Sequence, residues 1–567
     1  MEYENHSGKL YKYLIYLLII NKNLLMKKNL ILMALFAAFC GTDAFAQYSG
    51  GKGTQTDPYQ IASAEDLQAV SDNPAACYVQ TADIDLADVP FKSIATFTGT
   101  YDGQMYEIQN LAMESGANGL GLFSRVNTPG VLKNIVIRGA SVSAGQWSGI
   151  LCSTNGNWEK AGGLFKNCYV FDSAIDGQSC LGVFAGTSAG NFENCYAFNC
   201  TVEGNGDQIG GISGGNEGGG HYYDCMFYGD VSGNENTGGI VGFYNGDAKD
   251  ALSTIKNCVV YGSLTVAKGG GGGLLGASNW NVGKFGILNS CSFAKVSGTG
   301  IGGIAGKDFH ASSIDRIYCT GNIDAKGDVN SAGLLSNTPF NTSYAAVNGY
   351  YFGSVKASSP SKVGAVTGFF NGDNIKNFYF NKDCGVKGVA VGDDSGVKGL
   401  STAEMKQMKS FSFTDNSVWQ NIDGETTPFF ANQTAPVKIT ECTTAKLKGT
   451  CTASLERLFV MGSYAGVIAE SPVISNGTWK ITIPEDVVSE DETVTIVAVD
   501  KDKMPSMAVK AKVVAAGSTG IGDININNTV NAEPKSWFNV AGQQLGPKQK
   551  GFNIVKFSDG KIVKMIK

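Results

Sequence analysis

The chain has 567 residues, 75 of them glycine, with 43% hydrophobic residues, 17% charged residues and a net charge of −6. So sparse and slightly acidic a charge set makes no basic stripe, which excludes a nucleic-acid partner and simple electrostatic docking on anionic lipid. Glycine well above its ordinary share of roughly 7% argues against helices, since each glycine inside one is destabilising by about 1 kcal/mol relative to alanine.

The first segment reads as an export leader. Lys27 and Lys28 precede the apolar run Leu30 to Phe39, which is too short to span a bilayer, and Ala44-Phe45-Ala46 has a small-x-small cleavage pattern. We expect a start at Met26, with residues 1–25 an over-extended N-terminus, a signal peptide over 26–46 and Gln47 as the first mature residue. A lipoprotein lipidated on Cys40 is the rival reading, and Phe39 before it fits that pattern poorly. No apolar stretch of about 20 residues follows, so no transmembrane helix is expected in the mature chain.

A repeat then fills residues 47–431. Its template is an apolar residue, two polar or mixed residues, an anchor, any residue and a second apolar residue. Phe165-Lys166-Asn167-Cys168-Tyr169-Val170 and Ile255-Lys256-Asn257-Cys258-Val259-Val260 are two copies. The anchors read from the sequence are Ile135, Cys168, Cys195, Cys225, Cys258, Cys291, Ile317, Tyr350 and Phe378. A second landmark, Gly-Gly-apolar-x-Gly, follows most of them, as at Gly238-Gly239-Ile240-Val241-Gly242 and Gly272-Gly273-Leu274-Leu275-Gly276.

Apolar positions alternate after the anchor, as in strands, but Ile255 lies three residues before Cys258, so one residue between them must bend the chain. Asn or Asp there fits, because these tolerate the left-handed conformation best after glycine. The paired glycines, and the run Gly269 to Gly273, supply further corners. The fold class is therefore all-β: a coil of parallel rungs, with anchors stacked about 4.8 Å apart in a structural ladder. Exposed solenoid ends need covers. Ser63-Ala64-Glu65-Asp66 and Ser401-Thr402-Ala403-Glu404 resemble helix capping boxes, which predicts capping helices near 64–70 and 402–410.

From Ala435 to Ala515 the glycines thin and alternating strands separated by turns such as Asn476-Gly477 predict a small β-sandwich. Residues 516–531 read as a Gly/Asn/Ser-rich linker. Residues 532–567 carry the strand-like Trp537-Phe538-Asn539-Val540 and Lys550-Gly551-Phe552-Asn553-Ile554-Val555.

These elements in order resemble the GLUG-motif (Gly-rich repeat) surface proteins of Bacteroidetes. The match rests on the Gly-Gly-apolar-x-Gly and Asn-Cys elements, the stretch Gly51 to Ile61, Phe97-Thr98-Gly99-Thr100-Tyr101-Asp102-Gly103, and Gly399-Leu400-Ser401-Thr402 with Trp419 and Pro428-Phe429. The resemblance covers residues 48–431 and implies a right-handed parallel β-helix on the cell surface, with little chemistry of its own. The Asn476-Gly477-Thr478-Trp479 stretch resembles a bacterial immunoglobulin-like domain. The last module is similar to those that exported Bacteroidetes proteins use for type IX-like sorting or anchoring, which implies export machinery as a partner there.

The remaining residues give no catalytic, cofactor or metal assignment. Cys168, Cys195, Cys225, Cys258 and Cys291 read as buried small apolar residues, and Cys442 with Cys451 as one candidate bridge; no Cys-x-x-Cys pair is present. Beyond the leader only His221 and His310 occur, with no His-Glu-x-x-His. Asp83 with Asp85, and Asp393 with Asp394, are the densest acid pairs a glycan-cleaving or calcium site could draw on. Tyr169, Tyr196 and Tyr223 flank anchors at positions whose parity points outward, a candidate stripe for a sugar or protein ligand. The expectation is a secreted or surface-exposed adhesion or binding scaffold for a glycan or protein, not an enzyme. A carbohydrate-active β-helix enzyme and a purely structural surface or fimbrial component are the alternatives.

Overall fold

The computed structural model describes residues 48–566, except 246–252, 280–284, 308–312, 338–344, 371–374, 463–465, 470–471, 485–486, 517–523, 527–533, 540–543, 546–551 and 558–561. The expected leader, Gln47 and His310 lie outside the described residues.

Each rung turns at the residue before its anchor. Asn134, Asn167, Asn194, Asp224, Asn257, Asn289, Arg316, Asn348 and Asn377 all have φ between 46° and 59°. Eight are Asn or Asp, whose short polar side chains pay least for this left-handed geometry. Their amides also join rung to rung: Asn167 Nδ2 donates to Asn134 Oδ1 at 3.2 Å, Asn194 Nδ2 to Asn167 Oδ1 at 2.9 Å, and Asn257 Nδ2 to Asp224 Oδ1 at 2.9 Å. Strands on either side pair in parallel, in register, through about nine turns of a β-solenoid.

The anchors Ile135, Cys168, Cys195, Cys225 and Cys258 stack in one buried column, and Ile317 and Phe378 belong to it too. Cys291 and Tyr350, expected in that ladder, stand outside it. Ile317 pairs with Ser290 on one side and Gly349 on the other, so these occupy the column. Cys291 and Tyr350 come one residue later and face outward, because a slip of one residue along a strand reverses the face. Choosing the most apolar residue misplaced them; the left-handed Asn289 and Asn348 mark the true positions.

The Gly-Gly elements form the opposite wall, a sheet that includes Ala185–Ser188, Ser213–Glu217, Val241–Asn245 and Leu275–Ser278. The glycines are needed there for close approach, since none of those in the four motifs starting at Gly210, Gly238, Gly272 and Gly302 has a positive φ. A Cβ on Gly272 would lie 2.0 Å from the Leu275 carbonyl oxygen, and one on Gly273 would lie 1.9 Å from that of Gly303 in the next coil. Within the Gly269 to Gly273 run, Gly270 makes a left-handed corner at φ 75°.

At the first end, the helix Ala64–Ala69 starts where Ser63 Oγ accepts from the Asp66 N–H at 3.2 Å, and Leu67 and Val70 seal the column. The second expected capping helix is corrected. Ser401 and Glu404 do exchange bonds (Ser401 N–H to Glu404 Oε2 2.7 Å; Glu404 N–H to Ser401 Oγ 3.3 Å), but Gln407 is extended and only two short 3₁₀ turns form. Met405 packs on the flank of the solenoid instead of its end.

Residues 438–526 form two antiparallel sheets around Leu447, Leu458, Trp479, Ile481 and Ile496. Asn476 and Gly477, at φ 50° and 73°, make the tight hairpin between Val473–Ser475 and Thr478–Thr482. The expected linker contains a strand, Ile524–Ile526, which pairs with Val509–Lys512 and extends the sandwich. Four antiparallel strands, Pro534–Asn539, Gln544–Leu545, Phe552–Phe557 and Ile562–Ile566, make the last module.

Candidate functional site

The residue after each anchor points away from the coil. Val136, Tyr169, Tyr196, Met226, Val259, Cys291, Tyr318, Tyr350 and Tyr379 form one outer row, and Phe171, Phe198, Tyr228 and Tyr261 form a second beside it. Such an apolar flank would be unstable in water, and the chain covers it with its own later segments. Phe459 stacks on Phe198 with ring centroids 3.9 Å apart, the Arg457 guanidinium sits 4.2 Å over the Tyr169 ring, and Trp419, Phe429 and Phe430 cover the Tyr318 end.

The phenols find partners there. Tyr318 Oη donates to Gln433 Oε1 at 2.7 Å, Gln433 Nε2 donates to the Pro505 carbonyl at 2.9 Å, and Tyr261 Oη donates to the Ser506 carbonyl at 2.5 Å. Tyr169 and Tyr196, read from sequence as ligand-facing, are each only 4% exposed. Their outward parity is correct, but what they face is the sandwich. The sequence did carry a signal for this. In Leu458-Phe459-Val460-Met461, alternate residues go to different cores, Leu458 and Val460 inward and Phe459 and Met461 to the solenoid. A run of a strand without polar positions is buried on both faces, as these four residues are.

Tyr223 lies apart from this interface. Its hydroxyl is 3.0 Å from His221 Nδ1 and accepts from Thr254 Oγ1 at 3.1 Å, while Thr254 is also 3.3 Å from His221 Nδ1. Burial lowers the pKa of His221, because desolvation disfavours the charged ring. Because Thr254 belongs to the next coil, the cluster ties two coils together.

Asp83, Asp85 and Asp393 serve turns and coil-to-coil bonds. Asp83 accepts from the Glu107 N–H at 2.8 Å, and Asp85 from Asn110 Nδ2 at 2.8 Å and the Ala87 N–H at 2.9 Å. Asp393 accepts from both the N–H and Oγ of Ser395. These bonds, to Asn110 foremost for Asp85 and to the Ser395 N–H for Asp393, lower both carboxyl pKa values. No cluster of three or more His, Cys, Asp or Glu side chains suited to a metal occurs among the described residues.

The cysteines from Cys77 to Cys451 are all free. Cys442 and Cys451 are therefore not bridged, which corrects that pairing. The ladder thiols donate to backbone carbonyls, as Cys258 does to Tyr222 at 3.4 Å, and burial pushes the thiols of Cys195 and Cys258 well above their ordinary pKa.

Several features among the described residues stay open to solvent. A cleft of about 340 Å³ lies between Lys256, Asn257 and Asn289 of the coil and Ser417, Val418, Ala431 and Asn432 of the covering segment. Two indoles, Trp147 and Trp158, are 44% and 50% exposed. Trp147 sits two residues before the first glycine of its coil's corner, where other coils place Asn236, Gly270 and Gly300, all left-handed. That position is readable from the repeat once the glycine landmark is used to align it.

No family model matches the chain. A stretch of 135 residues, 20% of this chain, is 37% identical to Halomucin of Haloquadratum walsbyi, of whose length it spans 2%. A solved structure from Bacteroides ovatus, described as a candidate immunoglobulin A1 protease, aligns over 68% of this chain and 95% of its own at 20% identity and a TM-score of 0.35. No helix among the described residues is long and apolar enough to cross a membrane.

Proposed function

We propose that the chain is an exported cell-surface β-solenoid that works as an adhesion or ligand-binding scaffold for a glycan or protein, and that it is not an enzyme. The observation that carries this reading is the rod itself. About nine coils hold one register, and a second domain is fastened along their side through buried aromatic rings. Such a body presents fixed rows of amide and hydroxyl side chains over a long, stiff surface, as extended repeat proteins do when they bind along their length. Asp83, Asp85, Asp393 and His221 are engaged in turns and coil-to-coil bonds.

The test is a glycan and extracellular-matrix array probed with residues 47–567. Retention without cleavage is the expected outcome, and turnover of an arrayed polysaccharide would overturn the reading. On this reading the leader ends at Ala46, and the module over 532–567 serves type IX-like sorting or anchoring. Unchanged surface display after deleting that module would count against the second part.

A further inference from the structure

Resting on the scaffold reading, we propose that Trp147 is the platform of a binding site for a neutral saccharide. Trp147 has φ 52°, a left-handed conformation that a bulky aromatic residue seldom adopts. The same position is filled by glycine or Asn in coils at Gly119, Asn236, Gly270 and Gly300, and by Cys180 and Gln208 in the two coils that follow Trp147. The corner itself therefore does not ask for tryptophan.

Nor does the core ask for it. Trp147 as a residue is 44% exposed, so core packing does not repay the unfavourable backbone, and strain held in this way points to a functional role. At the matching corner of the next coil the Cys180 thiol donates to Gln208 Oε1 at 3.6 Å, which ties the following two corners together. The backbone is pinned as well, because the Trp147 carbonyl accepts from Ser153 Oγ at 2.7 Å. A half-open indole carried on a pinned backbone is a preorganised stacking surface.

Its surroundings choose the ligand. Gln146 Nε2 donates to Gln178 Oε1 at 3.3 Å at the corner where the Trp147 N–H donates to the Ser179 carbonyl at 3.1 Å, so two carboxamides stand side by side on the two coils that meet there. Between them they offer donors and acceptors without charge, which suits the paired hydroxyls of a sugar ring stacked on the indole. Glu217 and Asp207, the carboxylates that act on Cys180, disfavour an anion here, so a neutral saccharide fits this set better than an anionic ligand.

The test uses the mature chain in native gels cast with laminarin, galactomannan or soluble starch. Retardation by at least one polysaccharide is expected. Trp147→Asn, which suits the left-handed corner as Asn236 does, should weaken that retardation at least tenfold while leaving the melting temperature unchanged or higher. Trp147→Phe should keep part of the binding, and Gln178→Ala should weaken it less than Trp147→Asn.

The inference is overturned if no gel retards the wild type, if Trp147→Asn binds as the wild type does, or if Trp158→Ala alone removes the binding. Retention on the matrix-protein array together with silent gels would sink this site and leave the scaffold reading standing. Silence in both would sink the two together.

Discussion

The inner column and the outer flank of the solenoid are equally dry but for different reasons. Inside, Phe165, Cys195 and Val260 are covered because each coil lies on the next, so burial follows from periodicity alone. Outside, Tyr196, Phe198 and Tyr318 are covered because a separate domain and its lead-in segment dock there. A side chain's direction is written in local parity. Its exposure depends on what else the chain brings to that face.

Substitutions can separate the two kinds of burial. The largest effect is expected inside, from Gly273→Val, whose Cβ would meet the Gly303 carbonyl oxygen at 1.9 Å and the Ser292 side chain. Splitting adjacent coils should destabilise by on the order of 4 kcal/mol in urea unfolding. A loss under about 1 kcal/mol would refute the close-approach account of these glycines.

On the flank, Phe459→Ala should cost about 3 kcal/mol and raise binding of a hydrophobic dye, with the solenoid's far-ultraviolet signal preserved. A double-mutant cycle with Phe198→Ala should show coupling of roughly 1 kcal/mol. Additive losses would mean that the rings do not meet in solution. Smaller still, Tyr318→Phe removes one buried bond to Gln433 and should lower stability by about 1 kcal/mol.

Last comes Glu217→Gln. Burial raises the Glu217 pKa, so its folded value lies above its unfolded one. Such a group destabilises increasingly as pH rises through that interval, because the folded state disfavours the charged form. The substitution should therefore raise the melting temperature slightly at pH 7 and leave it unchanged near pH 4. An equal gain at both values would point to packing instead of charge.

Most of the coil was legible in the sequence because every turn repeats two demands, a left-handed residue before the anchor and glycines where chains nearly touch. Ser290 and Gly349 were missed because neither is apolar, although Asn289 and Asn348 announce them. The second capping box was real, but Met405 found a better apolar partner on the flank than at the coil's end. The docking of the sandwich spans more than 200 residues of sequence, as between Tyr261 and Ser506, and no local pattern specifies such a pairing. Trp147 was overlooked because tryptophan breaks the composition of its position, and that departure is what makes it informative.

The unpaired thiols have a consequence for how the molecule must be made. Cys168, Cys195, Cys225 and Cys258 come to lie one above another, so each pair of neighbours could be joined by an oxidant that reached them early. Only the laying down of successive coils shuts them away. If the chain is exported as proposed, folding of this segment is a race against oxidation, won when every new turn closes over the sulfur beneath it.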